Sequence, residues 1–343
     1  MSTSPASPTL FDEAISLAER GENLSEELTG RLIDAMLRGE ADPSQISKLL
    51  LALRAKGEAV DELVGAARAM RRHMTRIPHS HHVLLDTCGT GGSGSGTFNL
   101  STAVAILAAA CGVPVAKHGN RRATSRSGSA DVLECLGVEI QSEPDQVADR
   151  LDKVGICFCF AAKLHPAMKH VVAIRRQLGV PTLFNLLGPL CNPAAATHQL
   201  LGTADRQTQA KIAAALTRLD TQRSFVIHAE DGQDEVSLGG TTYCTEVTAA
   251  GQTEHEWTPA DFGFPPAHRD ALAAADPADS ARIIGEVFAG KPGPQRDTVI
   301  AGCAVALRLV DRAATLTDGC RQAAEAIDSG AAHDKLRQLA RPR

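Results

Sequence analysis

The segment Asp86-Thr-Cys-Gly-Thr-Gly-Gly-Ser-Gly-Ser-Gly-Thr-Phe-Asn-Leu-Ser-Thr-Ala constrains the fold more than any other part of the chain. Val83–Asp86 reads as a short strand and Leu100–Cys111 as a helix of small residues. The chain must pass from one to the other through Gly89, Gly91, Gly92, Gly94 and Gly96, a backbone that bends freely and lets a ligand approach closely. Asn99, Ser101 and Thr102 open the helix, where unpaired N–H groups and the positive dipole end favour a phosphate. Two narrower readings fail. The spacing of Gly89, Gly91 and Gly94 fits a dinucleotide fingerprint, but that needs an acid about twenty positions on, and Val113–Asn120 has none. No Lys-Ser or Lys-Thr follows the glycines, so the Walker pattern is absent as well. On this segment alone, a phosphate cradle and a purely structural turn both stay open.

Around this turn the grammar changes once. Residues 1–10 are rich in Ser and Pro, and from Phe11 to about Met74 the apolar spacing is helical. Gly39 is the expected stop of one helix and Asp42-Pro43 the expected start of the next; Leu49, Leu50, Leu53, Val60, Leu63 and Val64 are the expected inner face. Beyond the connector Ile77–His82, strands and helices alternate. Val113–Ala116, Val138–Ile140, Ser224–His228 and Ser237-Leu238 read as strands, Asp131–Leu136 as a helix, and Asp279–Leu339 as mostly helical. This is an α/β layer architecture behind a small all-helical module.

Two further segments carry chemistry. Lys117-His-Gly-Asn-Arg-Arg-Ala-Thr-Ser-Arg-Ser-Gly-Ser-Ala-Asp follows an apolar strand and interleaves cations with Gly, Ser and Thr. A solvated charged face and a second phosphate cradle both fit, and two strand-end loops can converge at the carboxyl edge of one sheet. In Asp231-Gly-Gln-Asp-Glu, Asp234 and Glu235 lie just after a tight turn. Adjacent carboxylates are either ordinary turn polarity or hard donors for Mg²⁺, which binds through one or two carboxylates plus substrate phosphates.

Composition narrows the classes. A net charge of −5 gives no basic field to gather nucleic acid, and 3% aromatics leave little for stacking bases. Nine cysteines, scattered without a paired framework, suit reduced thiols and a cytoplasmic location. Cys157 and Cys159 alternate in Gly155-Ile-Cys-Phe-Cys-Phe-Ala, as on one face of a buried strand rather than in a metal site. His79, His81 and His82 have no acidic or Cys ligand beside them and read as a solvated connector. The N-terminus lacks the basic start and apolar core of a secretion signal, and the longest apolar run, Ala103–Ala116, is too short for a bilayer and broken by Gly112 and Pro114.

Taken together, GTGGSGSGTFNLSTA at 89–103, KHGNRRATSRSGSAD at 117–131, HPAMKHVVAIRRQLGVPTLFNLLGPLCNP at 165–193 and DGQDE at 231–235 resemble the anthranilate phosphoribosyltransferase family, across nearly the whole chain and in the family's order. The resemblance implies a small helical domain, residues 1–80 joined by helices from about 163–190, and a large domain, 81–343, with a central mixed β-sheet flanked by helices, as in nucleoside phosphorylases. It implies transfer of the phosphoribosyl group of phosphoribosyl pyrophosphate to anthranilate in tryptophan biosynthesis, two Mg²⁺ ions per subunit, and a homodimer with neither nucleic acid nor membrane as partner. Phosphoribosyl pyrophosphate would be contacted by Gly89, Gly92, Ser93, Thr97, Asn99, Leu100, Ser101 and Thr102. Lys117, His118, Gly119, Asn120, Arg121, Arg122, Ala123, Thr124, Ser125 and Ser129 would complete that site. Ser101, Asp234 and Glu235 would hold metal; Gly89, Asn120 and Arg175 would hold anthranilate, with Arg176 the neighbouring alternative. His118 is a candidate proton relay, or a structural histidine. Ser93 departs from the family, which usually has Asp there, so a charge is missing beside the pyrophosphate. A pyrimidine nucleoside phosphorylase shares the architecture but does not need the acidic pair, and the non-catalytic nucleic-acid-binding relatives call for a basic surface.

Overall fold

The computed structural model describes residues 10–91, 94, 96–121 and 128–340. The chain divides into two compact units, one made of residues up to Met74 with His165–Cys191, the other of Thr75–Leu164 with Asn192 onward.

The first unit is all helical. Helices span Leu10–Glu19, Glu26–Arg38, Pro43–Lys56 and Val60–His73. Their ends follow local chemistry: the Ser25 side chain accepts from Leu28 N–H, and Asp42 caps the helix that Pro43 begins. The second helix stops at Gly39 in the left-handed region, φ 74°. The apolar run from Leu49 to Val64 is not one helix, because it breaks at Gly57. There Glu62, fully buried, accepts from the N–H groups of Leu24 and Ala59, both at 2.8 Å, and from Lys56 Nζ at 3.0 Å. Leu32, Ile33, Met36, Leu49, Leu50, Leu53, Leu63 and Val64 form the buried face. Helices Lys169–Leu178 and Leu183–Leu187 pack on this bundle, fastened by Arg54 to the Pro181 carbonyl at 3.0 Å and by Arg71 to the Leu190 carbonyl at 2.8 Å.

The second unit is built on seven strands: β1 Leu85–Gly89, β2 Val115–Gly119, β3 Ile156–Phe160, β4 His198–Gly202, β5 Arg223–Ala229, β6 Thr242–Thr248 and β7 Gly251–Trp257. Their spatial order is β3-β2-β1-β4-β5-β6-β7, parallel from β3 to β5 and antiparallel through β6 and β7. Strand β3 serves two cores, as its alternation requires: Ile156, Phe158 and Phe160 on one side, Cys157 and Cys159 on the other with Leu84, Ala116 and Leu151. No described helix is long and apolar enough to cross a membrane.

Two expected strands do not form. Val138 and Ile140 are buried in the larger core, but Val138 N–H closes the preceding helix on the Leu133 carbonyl, so no ladder follows. Ser237-Leu238 is also buried without a ladder; Ser237 N–H donates to Thr242 Oγ1 at 3.0 Å. Strands β4, β6 and β7 were not foreseen.

The strand order reverses between β1 and β4. Chain leaving β1 proceeds to β2 on one side, and chain leaving β4 proceeds to β5 on the other. In an open parallel sheet the crevice at the carboxyl ends of such a strand pair is where ligands bind. Here those ends are Gly89 and Gly202, which are paired in register.

Candidate active site

The Asp231–Glu235 turn lies over that crevice. Asp234 Oδ2 is 3.1 Å from where a Cβ on Gly89 would stand, and the Gly202 carbonyl is at 3.2 Å from the same point. A Cβ on Gly202 would collide with the main-chain carbonyl of Asp234, so only glycine lets the two backbones approach. Glu235 Oε1 accepts from the N–H of Ser101 at 3.0 Å, at the start of helix Leu100–Ala110. The helix-end amides expected to be free are therefore engaged: Ser101 N–H by Glu235, Leu100 N–H by the Phe98 carbonyl, and Thr102 N–H by Asn99.

Lys117 on β2 reaches the same place. It is buried, and its Nζ donates to the Thr87 carbonyl at 2.5 Å and to Ser101 Oγ at 3.2 Å. Thr87 Oγ1 donates in turn to the Ser101 carbonyl at 2.8 Å. Burial lowers the Lys117 ammonium from its usual value, while Asp86, Cys88 and Glu235 act in the opposite sense. Desolvation, and next the charge of Asp234, push the Glu235 carboxyl up to about 8. Asp86 braces the floor: fully buried, it accepts from Asn192 Nδ2 at 2.8 Å and from His118 N–H at 3.0 Å. Burial raises its carboxyl too. Asp86 and Asn192 were missed in the sequence; only the strand-terminal position of Asp86 pointed to it.

The remaining expected residues divide. Thr97 sits in an isolated antiparallel bridge with Ala273, and Asn99 N–H donates to Ser280 Oγ at 2.8 Å. Leu100 and Thr102 are buried, and the Thr102 hydroxyl is bonded to Asn99 Oδ1. His118 is buried, Gly119 ends β2, and Asn120 is exposed. Ser129 starts a short helix, its Oγ 3.5 Å from the Asn120 carbonyl. Arg121 pairs with both carboxyl oxygens of Glu134 at 2.5 and 2.7 Å and with Asp131 at 3.1 Å. Gly92, Ser93, Arg122, Ala123, Thr124 and Ser125 lie outside the described residues.

Two hard carboxylates and a hydroxyl, with a glycine cradle facing Asp234, suit Mg²⁺ in donor chemistry. The connector histidines do other work: His79 Nε2 is bonded to the Ala194 carbonyl at 2.7 Å and its ring stacks on His81.

In the helical unit, Arg175 and Arg176 are now distinct. Arg176 is exposed, whereas Arg175 is half-buried, its Nη2 donating to Asn185 Oδ1 at 3.2 Å and its guanidinium 5.4 Å from the Phe184 ring centroid. Burial lowers the Arg175 guanidinium from its ordinary value. A desolvated guanidinium held by an amide and a ring is suited to a planar carboxylate from outside the chain.

Comparison with known proteins bears on the fold and the family. Residues 13–74 match the helical bundle domain of a glycosyl transferase family, and residues 81–333 match that family's a/b domain. Anthranilate phosphoribosyltransferase of Rhodopirellula baltica is 71% identical over 341 residues, which cover 99% of this chain and 100% of the relative. The crystal structure of anthranilate phosphoribosyltransferase from Thermus thermophilus superposes with a TM-score of 0.89 at 40% identity, covering 95% of this chain and 98% of that one. The Saccharomyces cerevisiae enzyme in complex with PRPP and Mg gives 0.89 at 28% identity, covering 97% of each chain. With both of its units matched and the sheet-end crevice in place, the chain belongs to the anthranilate phosphoribosyltransferase family.

Proposed function

We propose that the protein transfers the 5-phosphoribosyl group of phosphoribosyl pyrophosphate to the amine of anthranilate, releasing pyrophosphate, with Ser101, Asp234 and Glu235 as its donors to two Mg²⁺ ions. The observation that carries the reading is the meeting of Ser101, Lys117 and the Asp234-Glu235 pair at the carboxyl ends of β1, β2 and β4. So small a protein donor set leaves most metal positions to pyrophosphate oxygens and water.

In the reaction the C1–O bond to pyrophosphate breaks and a C1–N bond forms, through an oxocarbenium-like state. When bound, Mg²⁺ supplies charge that stabilises the leaving pyrophosphate. Lys117 adds a fixed positive group in a desolvated place, where it costs no reorganisation as charge develops. Anthranilate's aromatic amine is uncharged at neutral pH, so it needs positioning more than a strong base. Arg175 pairs with the anthranilate carboxylate, and the amine proton passes to water after C–N bond formation. The acidic pair speaks against a nucleoside phosphorylase, which handles free phosphate.

A homodimer formed through the helical unit is part of the same proposal. It is supported by Leu51 and Val172, large apolar side chains of that unit that are 44% and 41% exposed. A cytoplasmic setting is supported by nine free cysteines. The direct assay is loss of anthranilate fluorescence with purified protein, phosphoribosyl pyrophosphate and Mg²⁺. Omitting either of the last two must abolish the change, and phosphorolysis of thymidine or uridine instead would replace the reading.

A further inference from the structure

The two carboxylates that would hold metal, Asp234 and Glu235, sit in a segment with no strand ladder of its own. Between Ala229 and Thr242, the chain is held by a few main-chain bonds, among them Glu230 N–H to the Thr241 carbonyl at 2.9 Å, Ala229 N–H to the Gln233 carbonyl at 3.0 Å and Ala267 N–H to the Leu238 carbonyl at 2.7 Å, and by side chains grouped around Asp231. Gln233 Nε2 donates to Asp231 Oδ2 at 2.6 Å and reaches Ser237 Oγ at 3.1 Å. Ser237 Oγ also donates to Asp231 Oδ2, at 2.7 Å, and accepts from Gly239 N–H at 2.8 Å. Asp231 Oδ1 takes the Gln233 N–H at 3.3 Å, and Arg269 Nη1 holds the Asp231 carbonyl at 3.1 Å. Gln233 is 1% exposed and Ser237 0%. The segment closes tightly: a Cβ on Gly239 would stand 2.6 Å from Asp231 Oδ2.

Asp234 and Glu235 are flanked by this network, with Gln233 before them and Ser237 after. A carboxylate accepting from buried donors at both ends of a short segment fixes its path more firmly than neutral pairs do. We infer that Asp231, acting through Gln233 and Ser237, is the positioning residue that sets Asp234 and Glu235 for metal. It does not touch substrate. Its effect is preorganisation: without it, the two carboxylates must be ordered when the metal arrives, and metal affinity falls.

The inference rests on the metal-binding reading of Asp234 and Glu235, so the test separates the two. Mn²⁺ is titrated into the full-length protein with phosphoribosyl pyrophosphate and without anthranilate, and binding is read from loss of the free-ion electron paramagnetic resonance signal. Asp231→Ala should raise the Mn²⁺ Kd about tenfold, as loss of a charge-assisted hydrogen bond implies. Asp231→Asn, which retains the acceptor for Gln233 N–H, should raise it less, and the KM for anthranilate should stay unchanged in both. A Kd within twofold of wild type for Asp231→Ala overturns the inference. If that variant does not fold, Asp231→Asn and Ser237→Ala decide it, and values within twofold for both overturn it. Asp234→Asn is the control: if it leaves Mn²⁺ affinity intact, the metal reading itself falls. If it weakens Mn²⁺ while the Asp231 variants do not, only the positioning role falls.

Discussion

The main-chain N–H of Ser101 donates to Oε1 of Glu235 across 3.0 Å, so a carboxylate of the acidic pair closes the first turn of the helix that follows the glycine loop. Glu235 caps the helix in the structure and is proposed to bind metal as well, and the two duties can be separated. An amide oxygen can still accept from Ser101 N–H but is a poorer metal donor. Glu235→Gln should keep a Tm within a few degrees of wild type while kcat falls about 100-fold or more. Glu235→Ala should lose both. Thermal melts beside steady-state rates check this; equal stability for the two variants would remove the capping role.

Arg175 carries a desolvated guanidinium, whereas its neighbour Arg176 is exposed. Arg175→Ala should raise the KM for anthranilate about 10- to 100-fold, the loss of a charged hydrogen-bonded pair, with a far smaller effect on the KM for phosphoribosyl pyrophosphate. Arg176→Ala should change neither. Equal effects of Arg175→Ala on both substrates would reject its role.

Gly202 gives room to the Asp234 backbone. A methyl group there must push the acidic turn off the sheet, at a cost of about 1–3 kcal/mol for overpacking. Gly202→Ala should lower Tm and also weaken activation by Mg²⁺, because the displaced backbone belongs to Asp234. A variant that melts early but keeps the wild-type Mg²⁺ curve would show that the approach is only structural.

His165 links stability to pH. It is 6% exposed, and desolvation lowers its imidazole to about 4 from an ordinary 6.5. The unfolded chain thus binds a proton between pH 6.5 and 4 that the folded protein refuses. The stability contributed by neutral burial is complete above pH 6.5 and is lost as pH falls toward 4, to about 3 kcal/mol. Denaturant melts across that window should show the fall, and His165→Gln should flatten it. An unchanged slope in the variant would assign the acid sensitivity elsewhere.

What was legible in the sequence was local. The glycine turn, the Lys117 loop and the Asp234-Glu235 pair each announce themselves within a few residues, and strand-to-loop order places the first two at one sheet edge. What was not legible depends on distant pairing. His198–Gly202 is buried at every residue, so it offers no alternation. Gly251–Trp257 is a polar edge strand defined by its partner. Val138–Ile140 and Ser237-Leu238 mimic strands because burial alone selects their apolar residues, while their N–H groups bond to a helix end and a side chain. The approach of Gly202 to Asp234 and the Asp86–Asn192 bond join residues far apart in the chain. Arg121 is legible as a cation of the strand-end loop, but its pairing with Asp131 and Glu134 on the next helix is not.

The central claim is that the acidic pair and its neighbours at the β1/β4 crevice grip phosphoribosyl pyrophosphate through magnesium. Calorimetric titration of that sugar into the protein, with and without Mg²⁺, tests it most directly. Heat of binding should depend on Mg²⁺ and be lost in Asp234→Asn/Glu235→Gln. Identical isotherms with and without the metal, or a double variant that binds like wild type, would contradict it.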